Sequence, residues 1–306
     1  MFLAVEVACY GLSFVNGQAD STTQYYAAIF NDGGVLRLHD CLLRSNVVDS
    51  TSVLCSYGGN LTLSGCRVAE NELVSHAILY QYGGVVQSEE GAVDISDTVF
   101  AYNLGNSLGV AGGHGSLSNA PFDGNGPGAL ILGMYQDGSE SSHTTLEAFD
   151  CAFMSNFGQR QGGALLSRGG STSTFTRCTF RSNFATSGGG AIFVEDGSTI
   201  TLRENAFIGN AALTGTAMLI FNSEAIIADC VIEGQVAETQ QGYTLFLAAS
   251  ADVTLTGSSF LRNYKIAQVS DTVVRFSNIT MVDNSCAACR DASRLGAEEV
   301  VAAQGW

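Results

Sequence analysis

The fold of this chain is decided by the stretch from Gly188 to Asn210, which reads GGGAIFVEDGSTITLRENAFIGN. The stretch contains a turn of small residues, a short apolar run, an Asp-Gly turn, an alternating apolar run and a closing Asn. The same series recurs along the chain at intervals of 21 to 32 residues. A unit of this length cannot bury its apolar face alone, so the copies must stack on one another.

The closing polar residue sets the register of ten copies. It is Asn46, Asn71, Asn103, Asn125, Asn156, Asn183, Asn210, Gln235, Asn263 and Asn284. Three residues earlier, every copy has a large apolar side chain: Leu43, Val68, Phe100, Phe122, Phe153, Phe180, Phe207, Ile232, Phe260 and Met281. Five residues earlier, all but the last are small or medium-sized: Cys41, Cys66, Thr98, Ala120, Cys151, Cys178, Asn205, Cys230, Ser258 and Ile279. Stacking would turn each position into a column of like residues.

The local pattern predicts strands and no helix. Alternating pairs such as Ile200 and Leu202 are typical of a strand with one buried face. A second apolar run, as in Ala191 to Val194, precedes each alternating run, and Gly or Asp-Gly turns separate the two. We therefore expect an all-β parallel solenoid of about 10 to 11 coils, with coils about 4.8 Å apart and a rod of about 50 Å. The Phe column should lie inside, and the Asn column should lie at a bend with left-handed backbone.

Composition excludes several classes of protein. The chain has 306 residues, 46% hydrophobic and 14% charged, which is unlike a disordered protein. Its net charge of −16 and its lack of a basic cluster argue against nucleic acid or an anionic membrane as a partner. No apolar run reaches the roughly 18 residues of a transmembrane helix. The first 20 residues lack a basic start and contain Glu6, which favours an incomplete coil of a longer polypeptide over a signal peptide.

Two motifs resemble a known repeat. The GGA-plus-apolar motif occurs at 162–165 and 189–192, and F-x-x-N occurs at 153–156, 180–183, 207–210 and 260–263. Their pairing resembles the polymorphic outer membrane protein (GGAI/FxxN) repeat of chlamydial surface proteins, over residues 27 to 284. The resemblance implies a right-handed parallel β-helix of the pectin-lyase-like superfamily and an adhesive or structural role at a cell surface. Fold and function separate readily, so it implies no enzymatic activity.

The sequence divides into a β-helix domain at residues 1–284 and a C-terminal tail at 285–306. The tail contains Cys286 and Cys289, whose C-x-x-C spacing favours a terminal disulfide or the start of a Cys-rich module over a zinc or redox site. Residues 291–304 are predicted to form a short helix that caps the open end of the solenoid.

The remaining cysteines are interpreted as structural. Cys41 and Cys66, and likewise Cys151 and Cys178, occupy one column in neighbouring coils, within disulfide reach. Their side chains would point in parallel, so stacked free thiols are favoured over disulfides.

We predict no catalytic, metal-binding or cofactor-binding residues, and no cofactor. Gly113-His114-Gly115 is similar to the Gly-His-Gly of polygalacturonases, but the rest of that family's pattern is missing, so His114 is assigned to a Gly-rich turn. Outward strand positions include Asp94 and Glu147, and they form no ladder of carboxylates. The acidic segments 89–91 and 137–143 are interpreted as solvated turns.

Two other patterns have ordinary explanations. The pairs Thr174/Thr176, Thr199/Thr201 and Thr254/Thr256 are similar to the threonine arrays of ice-binding solenoids. Arg203, Ile226 and Ala228 interrupt that face, so β-propensity is the better explanation. Sequons at Asn60 and Asn278 are compatible with secretion, at a frequency that chance would give.

The sequence thus predicts a non-catalytic, secreted or cell-surface scaffold for adhesion or ligand display, with carbohydrate or surface proteins as partners. Recognition is expected in the segments 104–128 and 134–145, because loops on a rigid scaffold often carry binding. The alternative is a carbohydrate-active enzyme, a polysaccharide lyase or glycoside hydrolase. A cleft that holds two carboxylates within about 10 Å would indicate such an enzyme.

Overall fold

The computed structural model describes residues 6–19, 27–48, 52–74, 84–133, 143–237, 242–284 and 299–303. All regular secondary structure in these ranges is β-strand. Within the same ranges, no helix is long and apolar enough to cross a membrane.

The first sheet contains the alternating runs. Its parallel strands are, in order of position, β1 (Glu6–Tyr10), β5 (Val35–His39), β9 (Asn60–Ser64), β13 (Ala92–Ser96), β16 (His114–Ser118), β19 (Thr145–Phe149), β23 (Thr172–Thr176), β27 (Thr199–Arg203), β31 (Glu224–Ala228), β35 (Asp252–Thr256) and β38 (Thr272–Ser277). In the five-residue strands after β1, the second and fourth residues, such as Leu61 and Leu63, point inward and are buried.

The second sheet contains short strands centred on the large apolar column. They are β2 (Ser13–Val15), β6 (Leu42–Arg44), β10 (Arg67–Ala69), β14 (Val99–Ala101), β17 (Pro121–Asp123), β20 (Ala152–Met154), β24 (Thr179–Arg181), β28 (Ala206–Ile208), β32 (Val231–Glu233), β36 (Ser259–Leu261) and β39 (Thr280–Val282).

The third sheet contains the apolar runs that follow the glycines. They are β4 (Ile29–Asp32), β8 (Leu54–Tyr57), β12 (Gly84–Glu89), β15 (Asn106–Ala111), β18 (Leu130–Leu132), β22 (Leu165–Ser167), β26 (Ile192–Val194), β30 (Met218–Phe221), β34 (Leu245–Ala248) and β37 (Ala267–Ser270). Two short sheets lie beside it, formed by β3 (Gln18–Ala19), β7 (Val47–Val48) and β11 (Glu72–Leu73), and by β21 (Phe157–Gly158), β25 (Phe184–Ala185), β29 (Ala211–Ala212) and β33 (Val236–Ala237).

The chain visits the first, second and third sheets in turn, and each strand pairs in parallel with its counterpart in the next coil. It is a right-handed parallel β-helix. This is the handedness that parallel strand connections adopt almost without exception. Eleven parallel first-sheet strands among the described residues define eleven coils, which confirms the predicted fold and coil number. Coils are numbered below by their first-sheet strand.

The interior consists of the predicted columns. The ring centroid of Phe153 lies 4.9 Å from that of Phe122 and 4.9 Å from that of Phe180, in stacked geometry. Phe207 continues the stack 4.7 Å beyond Phe180. All four rings are fully buried. Each coil therefore buries its aromatic side chain against copies in its neighbours, because no single coil could do so alone.

The Asn ladder is fully hydrogen-bonded within the interior. Asn156 donates from Nδ2 to Asn183 Oδ1 (3.0 Å) and to the Phe122 carbonyl (3.0 Å). Its Oδ1 accepts from both N and Nδ2 of Asn125 (3.1 and 3.0 Å). These four bonds use the two donors and the two lone pairs of one amide. The amide thereby carries the parallel hydrogen-bonding pattern around the corner between the second and third sheets.

We expected left-handed backbone at the Asn column itself, but the structure places it one residue earlier. Positive φ occurs at the preceding residue, for example 53° at Ser155 and 53° at Ser182. The preceding side chain can face solvent while the chain turns. The Asn must instead direct its amide inward, in line with the amides above and below, so it remains outside the left-handed region.

Two glycines explain the GGA motif. Gly189 has φ of 64°, which favours glycine at the turn. A Cβ on Gly190 would lie 2.2 Å from the Thr216 carbonyl oxygen, and one on Gly163 would lie 2.3 Å from that of Gly190. The motif is therefore required by close approach of the backbone in successive coils.

The cysteines in the described ranges are free, as predicted. Thiols replace other small polar groups in one inward column: the Cys41 amide donates to Cys66 Sγ (3.4 Å), and the Cys230 amide donates to Ser258 Oγ (3.1 Å). Cys286 and Cys289 lie outside the described residues.

The predicted helical cap is wrong for its described part. Residues Glu299–Ala303 form β40, which pairs antiparallel with β38 of the last coil. A strand satisfies the unpaired backbone groups of an edge strand directly, and adjacent Val300 and Val301 favour extended backbone.

Candidate functional site

The outward face of the first sheet places chemically reactive side chains in register. Its central column, one residue from each coil, contains Arg37, Thr62, Asp94, Ser116, Glu147, Thr174, Thr201, Ile226, Thr254 and Arg275. The threonine pairs lie on this face, with Arg203 and Ile226 directly beside Thr176 and Thr201. Thr arrays and charged residues thus share one face, as the sequence predicted.

Coils 4 to 6 bring two carboxylates and a histidine together on that face. Asp94 and Glu147 lie on either side of Ser116, two coils apart, so their Cα atoms are about 10 Å apart. His114 is on the same strand as Ser116, and its Nδ1 lies 2.8 Å from Thr145 Oγ1. Asp94, His114 and Glu147 are all exposed. The sequence alone does not place these three residues together, because the coils that contain them differ in length.

The glycines around His114 have packing roles. A Cβ on Gly113 would lie 2.0 Å from the Gly91 carbonyl oxygen, and one on Gly115 would lie 2.4 Å from Leu146 Cδ1. His114 begins β16 and does not form the turn that we expected. The similarity to Gly-His-Gly therefore follows from two steric requirements of the coil.

No metal centre is formed within the described ranges, where no three His, Cys, Asp or Glu side chains cluster closely enough to hold an ion. Burial raises the pKa of the Cys55 thiol to about 12 and that of Cys230 to about 11. These thiols remain protonated at neutral pH and are poor nucleophiles.

We expected recognition loops at residues 104–128 and 134–145, and the structure does not show a loop at the first of these segments. Residues 104–128 form a regular coil that contains β15, β16 and β17, so the predicted loop is wrong. Asn125 follows Asn103 by only 22 residues, so this coil has few residues outside its strands. Residues 134–142 lie outside the described residues. Both sequon asparagines, Asn60 and Asn278, are exposed.

A second outward column lies at the corner directly after the Asn ladder. We call it the corner column; it consists of Val47, Glu72, Leu104, Gly126, Phe157, Phe184, Ala211, Val236 and Tyr264. Four of its apolar members are exposed: Leu104 is 59% exposed, Phe157 42%, Val236 53% and Tyr264 41%. Val47, Phe184 and Ala211 are half-buried. The column runs along the rod for about 40 Å, since it spans coils 2 to 10.

A shallow depression adjoins the corner column at coils 5 and 6. It is lined by Asn106, Pro127, Leu130, Gln159, Arg160, Gln161, Gly162 and Leu166, and its enclosed part has a volume of about 20 Å³. That volume holds about one water molecule. Arg160 is exposed, and its guanidinium forms no hydrogen bond or ion pair within the described part of the chain.

Arg160 differs from the arginines that pair with an acidic residue of a neighbouring coil. Arg177 forms a bidentate pair with Asp150 of the preceding coil (2.8 and 2.8 Å), and this pairing lowers the pKa of the Asp150 carboxyl. Arg44 pairs similarly with Glu70 (2.8 Å). These arginines link neighbouring coils, whereas Arg160 remains available to a ligand.

A comparison with protein-family models supports the architecture. A family model described as a right-handed β-helix region matches residues 162–301. Among solved structures, a mutant of a periplasmic alginate epimerase is similar, with a TM-score of 0.31 and 12% identity, over 82% of this chain and 73% of that chain. No curated protein matches. We transfer no activity from a similarity of this size.

Neither the corner column nor Arg160 was predicted from the sequence. The column had a signal: the residue immediately after the ladder Asn is apolar in most copies, as at Phe157, Phe184 and Val236. Arg160 had none, because it belongs to a turn that the repeat does not constrain.

Proposed function

We propose that this β-helix is a rigid, non-catalytic scaffold that binds an extended partner at the outside of a cell. The corner column carries this proposal. Four solvent-exposed apolar side chains aligned along about 30 Å, from coil 4 to coil 10, mark a surface for binding, since isolated exposed residues would not fall in one line. The ladders support it as well, because they fix the spacing of these side chains from coil to coil.

Adhesion or ligand display follows from the same surface. Aromatic and aliphatic side chains provide contact area with little loss of conformational entropy on a rigid backbone. The resemblance to polymorphic outer membrane protein repeats supports a secreted or cell-surface location, and carbohydrate or surface proteins are the proposed partners.

The test compares two sets of surface substitutions. The fluorescently labelled chain is applied to arrays of cell-surface glycans and extracellular proteins, and the strongest binders are measured by biolayer interferometry. The column variant combines Leu104→Ser, Phe157→Ser and Val236→Ser. The control combines Phe149→Ser, Ile226→Ser and Val273→Ser, which are similarly exposed on the first sheet. We expect at least tenfold weaker binding for the column variant alone; equal binding by both variants would contradict the proposal.

The second candidate is a carbohydrate-active enzyme, favoured by the pair of Asp94 and Glu147 beside His114. Their Cα atoms are about 10 Å apart, and the two carboxyl groups of an inverting glycosidase lie about 6.5–9.5 Å apart. Both carboxylates are exposed, however, whereas a general acid is usually tuned by burial or by a close charge. Product release from a panel of polysaccharides that is abolished by Glu147→Gln would establish this function in place of the scaffold.

A further inference from the structure

The outward face of the second sheet is mostly apolar. The middle residue of each of its strands points inward, so the first and third residues point outward. More than half of these outward residues are apolar: Val15, Leu42, Ala69, Val99, Ala101, Pro121, Ala152, Met154, Ala206, Ile208, Val231, Leu261 and Val282. Ala69 and Ala101 among them are already buried. The central outward column of the first sheet, in contrast, contains mainly threonines and charged residues. The composition of the second-sheet face is typical of a face that packs against another layer.

The second-sheet face also lacks the excess negative charge of the chain. The net charge of −16 opposes association of two copies unless they meet at a surface that is not acidic. The charged residues at the outward positions of the second sheet are Arg44, Arg67, Arg181, Asp123 and Glu233. Arg44 pairs with Glu70 (2.8 Å), and Glu233 pairs with Arg262. The Arg181 side chain is exposed and forms no hydrogen bond or ion pair within the described part of the chain. Its register neighbours in adjacent coils are Met154 and Ile208, which cannot pair with it.

The charges of this face are complementary to themselves about Met154. Asp123, Met154 and Arg181 occupy the third position of their strands in coils 5, 6 and 7. A two-fold axis that passes by Met154 along the strand direction reverses the order of the coils and keeps each strand position opposite itself. Met154 would then face its own copy, and each Arg181 would face Asp123 of the other copy. Because the coils of both rods repeat at about 4.8 Å, the match continues along the face. Residues of like charge do not meet in this register, since Arg44 faces Leu261, Glu233 faces Ala69 and Arg67 faces Val231.

The area of the face is sufficient for a specific contact. The second sheet extends over eleven coils, or about 50 Å, and its strands with their flanking residues are about 12 Å wide. Contact along the whole face would cover about 600 Å² per copy and about 1,200 Å² in total, at the lower end of the range for specific interfaces. We therefore expect a dimer that exchanges with the monomer.

We propose that the outward face of the second sheet binds the same face of a second copy, with the two rods antiparallel. Such an interface is isologous, so the assembly closes as a dimer and does not extend into a fibre. Because the two-fold axis runs along the strands, the strands of both copies keep one direction, and the two corner columns lie on the same side of the dimer. The proposal concerns a surface other than the corner column and does not depend on the scaffold function.

Sedimentation velocity of the whole chain over a wide range of concentration tests the association. We expect the 32.0 kDa monomer to convert to a dimer as its concentration rises. A chain that remains monomeric at the highest concentration, or that continues past the dimer to larger assemblies, would overturn the proposal.

An exchange of charges locates the interface. Arg181→Asp and Asp123→Arg each place like charges opposite one another, and we expect each to weaken the dimer at least tenfold. The double variant places opposite charges together again and should dimerise like the wild type. The matched control is Arg203→Asp, which makes the same change of net charge at an exposed arginine of the first sheet and should leave the dimer unchanged. Circular dichroism melting shows whether each variant is folded. Equal weakening by Arg181→Asp and Arg203→Asp, or a folded double variant that dimerises no better than the single variants, would overturn the proposal.

Discussion

Replacement of Asn156 by leucine tests whether the amide ladder stabilises the rod. Asn156 is 1% exposed, and leucine has a similar shape but no polar atoms. The substitution removes the acceptor of two buried donors, the backbone N–H and the Nδ2 of Asn125. A buried polar group left unsatisfied costs about 1–3 kcal/mol, so the two donors together cost about 2–6 kcal/mol. The Phe122 carbonyl loses a donor as well, which places the expected loss in the upper half of this range.

The matched control is Asn284→Leu at the last position of the ladder. Asn284 Oδ1 accepts from a single donor, the Asn263 amide (2.8 Å), and Asn284 is half-buried. One unsatisfied donor costs about 1–3 kcal/mol, so this substitution should destabilise about half as much. The contrast separates the ladder from the general effect of an Asn-to-Leu change.

Urea unfolding followed by far-UV circular dichroism measures the free-energy differences. A solenoid can unfold in segments, so hydrogen exchange is needed to localise the change. We expect faster exchange of the Asn125 amide in Asn156→Leu, with little change in coils 1 and 2. If the free energy of unfolding of Asn156→Leu were within about 0.5 kcal/mol of the wild-type value, the cost assigned to an unsatisfied buried donor would be wrong for this ladder.

Two further predictions concern the backbone and the thiols. Gly190→Ala should lower the midpoint of thermal unfolding by the equivalent of about 1–3 kcal/mol, because its Cβ would lie 2.2 Å from the Thr216 carbonyl oxygen; Gly126→Ala, whose nearest atom is 3.4 Å away, should leave the midpoint unchanged. Burial raises the pKa of Cys55 from about 9 to about 12 and that of Cys230 to about 11, so between these values the unfolded chain loses protons that the folded chain retains. Stability measured by urea unfolding should therefore fall as pH rises from 9 to 11, and Cys55→Ala should reduce that fall; a midpoint that does not change with pH would contradict the assignment.

The interior was predictable because the sequence repeat specifies which residues are in contact. In a solenoid, the nearest neighbour of an inward residue is the same position one coil away. The recurrence of Phe153, Phe180 and Phe207 therefore specified the stack, although the residues are far apart in the chain. The left-handed bend was misplaced because both Asn156 and Ser155 are compatible with it by residue type. Hydrogen-bond satisfaction decides between them, and that depends on where the amide must point.

The outward surface is less predictable, since no neighbouring copy constrains it. Asp94 and Glu147 are 53 residues apart in the sequence, and only the register of β13, β16 and β19 places them two coils apart on one face. Arg160 is separated from Phe157 by two residues, but its availability depends on the absence of an acidic residue at the matching place in adjacent coils. The same repeat that fixes the core leaves the corner free to vary, and a binding surface can change there without loss of the fold. Function in this chain should therefore be sought where the repeat is broken, as at Gly126 in the corner column.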